Sequence, residues 1–151
     1  MIRAVFVFDL DECLVHVEND IVYVRPYAET ILQLLSRKKS VVVILWSAAT
    51  RCYVFNVLAR LNWFHFFNKI LTREDCEYSF KTFNEYKSSF YVKKILEFEM
   101  GICIFNTKFI YIDDLATKNE QQNLYDHKIQ IVPFTKPGPD LHLFHAIGCF
   151  I

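Results

Sequence analysis

The stretch Asp9-Leu10-Asp11-Glu12 places three acids within four residues, directly after the apolar run AVFVF (Ala4–Phe8). A second acidic pair, Asp113-Asp114, follows FIYI at residues 109–112, and Ser47 follows VVVILW (Val41–Trp46). Carboxylates crowded at the end of a buried strand repel one another unless a cation offsets them. In a parallel α/β sheet the carboxyl ends of the strands are where ligands bind. If the three strands are neighbours, the carboxylates of Asp9, Asp11, Asp113 and Asp114 converge with the Ser47 hydroxyl on one crevice. Hard oxygen donors of that kind suit Mg²⁺, which keeps several waters and is often completed by a substrate phosphate. One Asp after a strand is commonly a turn residue or a helix cap. Two acidic pairs behind two strongly apolar strands of a short chain favour a site.

Short apolar runs alternate with longer segments of helical period, the pattern of an α/β fold with a mostly parallel sheet. AVFVF has no polar alternation, as expected of a strand buried on both faces. Residues 15–17 and Ile21–Val24, separated by Glu18-Asn19-Asp20, predict a small hairpin. Helices are expected over residues 28–37, with Pro26 in a first-turn position, and over residues 50–61, where Val54, Val57, Leu58 and Leu61 recur at helical spacing. Lys69–Leu71 reads as a short strand and residues 72–86 as an irregular polar loop. Ser88 or Ser89 can cap a helix running to Met100, with Gly101 as its stop. Residues 117–125 suit a short helix, 129–132 a fifth strand and 139–147 a last helix. The aromatic stretch 63–67 (WFHFF) has no flanking basic groove, so core packing beneath Lys69–Leu71 is preferred to a base-stacking platform.

The chain has 151 residues, room for one domain spanning residues 1–151. Seventeen Lys+Arg balance seventeen Asp+Glu, so an extended electrostatic grip on nucleic acid is not expected. No apolar stretch approaches the roughly 18 residues needed to cross a bilayer. Five widely spaced cysteines without a CxxC pair argue against a disulfide framework or a zinc knuckle. With no signal-peptide pattern and no Asn-x-Ser/Thr acceptor, the expectation is an intracellular protein, cytoplasmic or nuclear, neither secreted nor membrane-bound.

Asp9-Leu10-Asp11-Glu12-Cys13-Leu14-Val15-His16 resembles the first motif (Asp-x-Asp-x-Thr/Val) of haloacid dehalogenase (HAD) superfamily phosphatases. It is most similar to the form found in phosphatases of the RNA polymerase II C-terminal domain. The likeness continues through Arg25-Pro26, Leu45-Trp46-Ser47-Ala48, Thr72-Arg73-Glu74, Tyr111-Ile112-Asp113-Asp114 and Ile131-Val132-Pro133-Phe134. The double Asp also resembles the small magnesium-dependent phosphatases of the superfamily. The resemblance implies a HAD-like Rossmannoid three-layer sandwich. It also implies that Asp9 is the nucleophile forming an aspartyl-phosphate and that Asp11 is the general acid and then the base. Ser47 would bind the transferring phosphoryl oxygens. Asp9, Asp11 (through its carbonyl), Asp113 and Asp114 would hold Mg²⁺, with Asp114 the more direct ligand of the last pair.

The family also places a phosphate-binding lysine near the helix before the fourth strand. Lys87 is the first choice; Lys93 and Lys94 are alternatives, against the ordinary expectation of a solvated helix face. Cys13 stands where the motif usually has Thr or Val, and loop support is the expected role, since no partner His marks a cysteine enzyme. His16 is expected to serve structural packing, with orientation of the hairpin as the alternative, and His142 and His145 to be surface residues lacking a third metal ligand.

Neither the interval from Asp11 to Arg25 nor that between the third and fourth strands can house a cap domain. A capless, open site with the hairpin as a flap suits phosphate on a macromolecule. The expected function is a Mg²⁺-dependent phosphatase of phosphoserine or phosphothreonine in a protein, with phosphotyrosine as a further option. The alternatives are a phosphatase of nucleic-acid ends, nucleotides or sugar phosphates, and a catalytically silent phosphatase-like scaffold.

Overall fold

The apolar runs become the five strands of one parallel sheet. The computed structural model describes residues 1–115 and 124–151. The strands are β1 (Ala4–Phe8), β4 (Val41–Trp46), β5 (Lys69–Leu71), β6 (Lys108–Asp113) and β7 (His127–Gln130), in the spatial order β5-β4-β1-β6-β7. A separate antiparallel hairpin pairs β2 (Val15–Glu18) with β3 (Ile21–Val24). Its turn is made by Asn19 and Asp20, both at positive φ, a conformation Asn and Asp tolerate better than other side-chain-bearing residues.

Side chains alternate across the sheet, and the two faces build separate cores. Phe6, Phe8, Val43, Leu45, Ile110 and Ile112 face α1 (Ala28–Ser36), α2 (Arg51–Leu61) and α5 (His142–Ile147). Val5, Val7, Ile44, Trp46, Phe109 and Tyr111 face the layer of α3 (Arg73–Phe83) and α4 (Ser89–Lys94). The result is a three-layer α/β sandwich. The chain proceeds from β1 outward to β4 and β5, then crosses to β6 on the other side. The order therefore reverses around β1, and that reversal opens the crevice in which sheets of this type bind ligands.

Several boundaries differ from the sequence expectations. Residues 72–86 are not an irregular loop: α3 occupies most of them. Thr72 and Asp75 form a reciprocal capping box, and only Cys76 and Ser79 of the helix are buried, so a short inward stripe lies under a mostly polar surface. Pro26 stands in a turn rather than in the first turn of α1, because the Ala28 amide bonds to the Arg25 carbonyl and Tyr27 takes a left-handed conformation. Ser88 does cap α4, accepting from the Phe90 amide at 3.2 Å, but the helix widens into a π turn over Ile95–Glu99 before Gly101 (φ 64°) ends it. The last strand is displaced toward the N-terminus relative to 129–132, and the last helix begins at His142 rather than Pro139. The helix expected over 117–125 lies, apart from its final two residues, outside the described residues.

Trp63, Phe66 and Phe67 are buried in the first core cluster, as a packing role requires, while Phe64 and His65 are exposed. Among the described residues no helix is long and apolar enough to cross a membrane.

Candidate active site

Register explains why the acids meet. Phe8 of β1 is level with Ile112 of β6, so Asp9 and Asp113, the next residue on each strand, are level as well. The Asp9 amide continues the ladder by donating to the Ile112 carbonyl at 3.0 Å. Both positions follow the odd-numbered alternation of Val5, Val7, Phe109 and Tyr111, which directs them toward the α3–α4 layer.

Lys87 enters from that layer, between α3 and α4. Its Nζ donates to Asp9 Oδ1 at 3.0 Å and to Asp113 Oδ2 at 3.1 Å, and all three side chains are nearly enclosed. The backbone that carries Lys87 is pinned at two points. The Tyr125 hydroxyl donates to the Lys87 carbonyl at 2.8 Å, and the Ser88 amide donates to Ser79 Oγ at 3.0 Å. Lys93 lies over the Phe109 ring at 5.0 Å, and Lys94 donates to the Tyr78 hydroxyl at 3.0 Å. Lys87 is thus the lysine brought to the acids.

Asp113 is heavily engaged. Its Oδ2 accepts from Lys87 and from the Tyr111 hydroxyl, and its Oδ1 accepts from the Leu115 amide at 2.9 Å. Burial alone would raise its pKa, but Lys87 and these donors outweigh it and hold the carboxyl down to about 2. Asp9 moves the other way, up to about 6, because burial and the Asp113 charge outweigh Lys87. Asp114 is pushed up to about 7 by burial and by the neighbouring Asp113. Burial would also lower Lys87, yet Asp9 and Asp113 outweigh it and keep the amine firmly charged.

Carboxylate oxygens of Asp9, Asp113 and Asp114 lie within 4.8 Å of one another. One ammonium cannot balance three carboxylates; burial, and after it the charge of Asp113, raises the pKa values of Asp9 and Asp114. A hard divalent cation would offset the remaining negative charge, so the donor set of three clustered carboxylates fits Mg²⁺. The Asp11 side chain stands apart from the triplet: its Oδ1 accepts from the Tyr53 hydroxyl at 2.6 Å. Burial raises the Asp11 pKa despite that bond.

Ser47 is buried at the end of β4, on the strand adjacent to β1. Its Oγ accepts from the Ala49 amide at 3.0 Å, which leaves the hydroxyl proton available to a ligand. Cys13 is enclosed, its Sγ 3.8 Å from the Ile112 carbonyl, and burial raises its pKa well above the ordinary thiol value, a state unsuited to a nucleophile. His16 packs edge-on to Phe134 and lies 3.2 Å from Glu12, which ties the hairpin to the motif loop. His142 and His145 are exposed on α5.

Two contributors were not singled out from sequence. Tyr53 belongs to the apolar periodicity of α2 and carries no local mark of reaching Asp11. Arg25 carries no local sign of its role beyond the Arg25-Pro26 motif, yet it is fully buried. Its guanidinium donates to the carbonyls of Cys13 (3.1 Å) and Val132 (2.6 Å) and pairs with Asp140 at 3.1 Å, joining the motif loop to the segment before α5.

A reversed parallel sheet with acids at adjacent strand ends and a buried lysine between them is the arrangement that the first-motif resemblance implies for a HAD-type phosphatase. Residues 4–151 match the NLI interacting factor-like phosphatase family, and the chain belongs to that family. It is accordingly a phosphatase of the HAD superfamily, the class the first-motif resemblance implies. The fold is similar to that of the core domain of a protein assigned as a phosphoglycolate phosphatase from Streptococcus pneumoniae. The identity there is 18%, the TM-score 0.52, and the match covers 87% of this chain and 91% of that one. A weaker likeness, TM-score 0.49 at 14% identity over 93% of this chain and 81% of the other, is to 3-deoxy-D-manno-octulosonate 8-phosphate phosphatase from Moraxella catarrhalis. That enzyme was solved with magnesium, phosphate and its sugar acid. No curated protein matches the chain significantly.

Proposed function

We propose that the chain is a Mg²⁺-dependent phosphatase of phosphoserine or phosphothreonine, and also of phosphotyrosine, in proteins, acting through an aspartyl-phosphate. The observation that carries this reading is the bridge from Lys87 to both Asp9 and Asp113, whose carboxylate oxygens lie within 4.8 Å of one another and of Asp114.

In the first half-reaction an Asp9 carboxylate oxygen attacks phosphorus, the ester P–O bond breaks, and Asp11 gives its proton to the departing oxygen. In the second, Asp11 takes a proton from water as that water attacks the phosphorus. The Asp9–phosphorus bond breaks, and inorganic phosphate and the Asp9 carboxylate are released. Lys87 and the Ser47 hydroxyl donate to phosphoryl oxygens, offsetting the repulsion between a carboxylate and a phosphate dianion. Asp9, Asp113, Asp114 and the Asp11 carbonyl would hold a divalent cation, which would supply further neutralisation of that charge.

The protein-directed part of the reading rests on access. Only the β2–β3 hairpin lies between β1 and α1, and only α3, α4 and the π turn lie between β5 and β6, so among the described residues neither interval carries an insertion of domain size over the crevice. An uncovered site accommodates a phosphate carried on a chain. The test is a panel assay of purified protein with Mg²⁺ or with chelator, against phosphoserine, phosphothreonine and phosphotyrosine peptides, 3′-phosphorylated oligonucleotides and sugar phosphates. Metal-dependent release is expected fastest from peptides. Preferential release from oligonucleotides or sugars would overturn the substrate class, and failure to hydrolyse even p-nitrophenyl phosphate would overturn the enzyme.

A further inference from the structure

Tyr53 occupies the first turn of α2, which starts four residues after Ser47. Its amide donates to the Thr50 side chain that caps the helix, at 3.4 Å, and its hydroxyl donates to Asp11 Oδ1 at 2.6 Å. The tyrosine is partly buried, and the Arg51 guanidinium in the same turn lies over the Phe55 ring at 4.8 Å. The segment just before the cap is also held: the Arg73 amide donates to the Ala49 carbonyl at 2.9 Å and the Arg73 side chain to the Ala48 carbonyl at 3.1 Å. The phenol therefore projects from anchored backbone toward a carboxylate on a short loop.

A carboxylic acid delivers a proton from one of its two oxygens, and a group free to rotate presents the wrong oxygen part of the time. A phenolic O–H that donates to Oδ1 makes that oxygen an acceptor and leaves Oδ2 as the one able to carry the proton. We propose that Tyr53 is a positioning residue for leaving-group protonation: its hydroxyl orients Asp11 so that the Oδ2 proton faces the departing oxygen. The inference rests on Asp11 being the general acid of the proposed reaction. As the ester P–O bond breaks, the Asp11 Oδ2–H bond breaks and an O–H bond forms on the leaving oxygen. Tyr53 keeps its own proton throughout.

The experiment compares Tyr53→Phe with the unaltered enzyme, both loaded with Mg²⁺, on two aryl phosphates of similar size. Phenol is about as basic as the tyrosine side chain, pKa about 10, and departs poorly without a proton. Nitrophenolate is a stable anion that departs without help. The quantity read is kcat/KM, which reports only the steps up to departure of the leaving group. Because a well-placed general acid contributes roughly 10²–10⁴-fold, Tyr53→Phe is expected to lower kcat/KM for phenyl phosphate on the order of 10-fold or more. The loss on p-nitrophenyl phosphate is expected to be several times smaller. In an Asp11→Asn background the same substitution is expected to add no further discrimination between the two substrates. Equal losses on both substrates, or no loss on either, would overturn the positioning role, as would undiminished discrimination in the Asp11→Asn background. Inactivity of the unaltered enzyme on both substrates would instead overturn the phosphatase reading itself, so the two failures are distinguishable.

Discussion

Lys87 and Asp9 meet at 3.0 Å inside the crevice, although 78 positions separate them in the chain. The same ammonium reaches Asp113, so one cation spans the ends of two adjacent strands. Replacing it with the uncharged Lys87→Gln would leave a charged site without its fixed cation. Removing one electrostatic donor from a site of this kind costs about 10²–10³ in rate. We expect kcat/KM on p-nitrophenyl phosphate to fall by about that factor while Lys93→Gln stays within a few-fold of the parent; steady-state kinetics of the two variants check it.

The acid cluster also makes a prediction about pH. Asp9 and Asp114 have folded pKa values near 6 and 7, above the ordinary carboxylate value of 3.8. A raised carboxylate pKa means that the folded state holds the proton more tightly than the unfolded state does. These two groups therefore lower stability progressively as pH rises from about 4 to about 7. Asp113, held near 2, acts in the opposite sense, but its contribution is lost only below about pH 4. Calorimetry of chelator-treated protein should show Mg²⁺ raising Tm more at pH 8 than at pH 5. An equal effect of Mg²⁺ at both values would contradict the assignment of the metal to this cluster.

Arg25 is a structural prediction. Its removal would leave the carbonyls of Cys13 and Val132 and the carboxylate of Asp140 without their buried partner. Breaking a buried charged network by deleting one member costs about 3–5 kcal/mol. Arg25→Ala is expected to lose that much in urea unfolding. Arg25→Lys should recover only part of it, since one ammonium cannot reproduce the planar fork that serves several acceptors.

Tyr125→Phe tests how Lys87 is held. The lost bond to the Lys87 carbonyl should cost about 1 kcal/mol, or somewhat more because the carbonyl is buried. We expect the variant to remain folded, with kcat reduced and KM little changed, as kinetics with an aryl phosphate will show.

The strands and their terminal acids were legible in the sequence because both are local patterns: an apolar run of strand length, then a carboxylate. The parallel architecture followed from their alternation with helical segments, and the first motif was specific enough to imply the superfamily. What sequence did not show was the means of support. Helix α3 resembles a loop in sequence because its polar surface hides a stripe of two buried residues, although the Thr72 and Asp75 spacing of a capping box is present. That helix sets the turn from which Lys87 enters. Tyr53 and Arg25 reach partners at separations of 42 and 115 residues, and no local pattern encodes contacts of that range.

Phosphorylation of Asp9 is the step on which the proposed reaction depends. Enzyme mixed with a stoichiometric amount of phosphopeptide and Mg²⁺, quenched in acid within one turnover and reduced with labelled borohydride, converts an aspartyl-phosphate to homoserine at the modified position. Label is expected at residue 9 and absent from Asp9→Asn, which should also lose turnover. Label at any other residue, or phosphate release by Asp9→Asn at the parent rate, would contradict it.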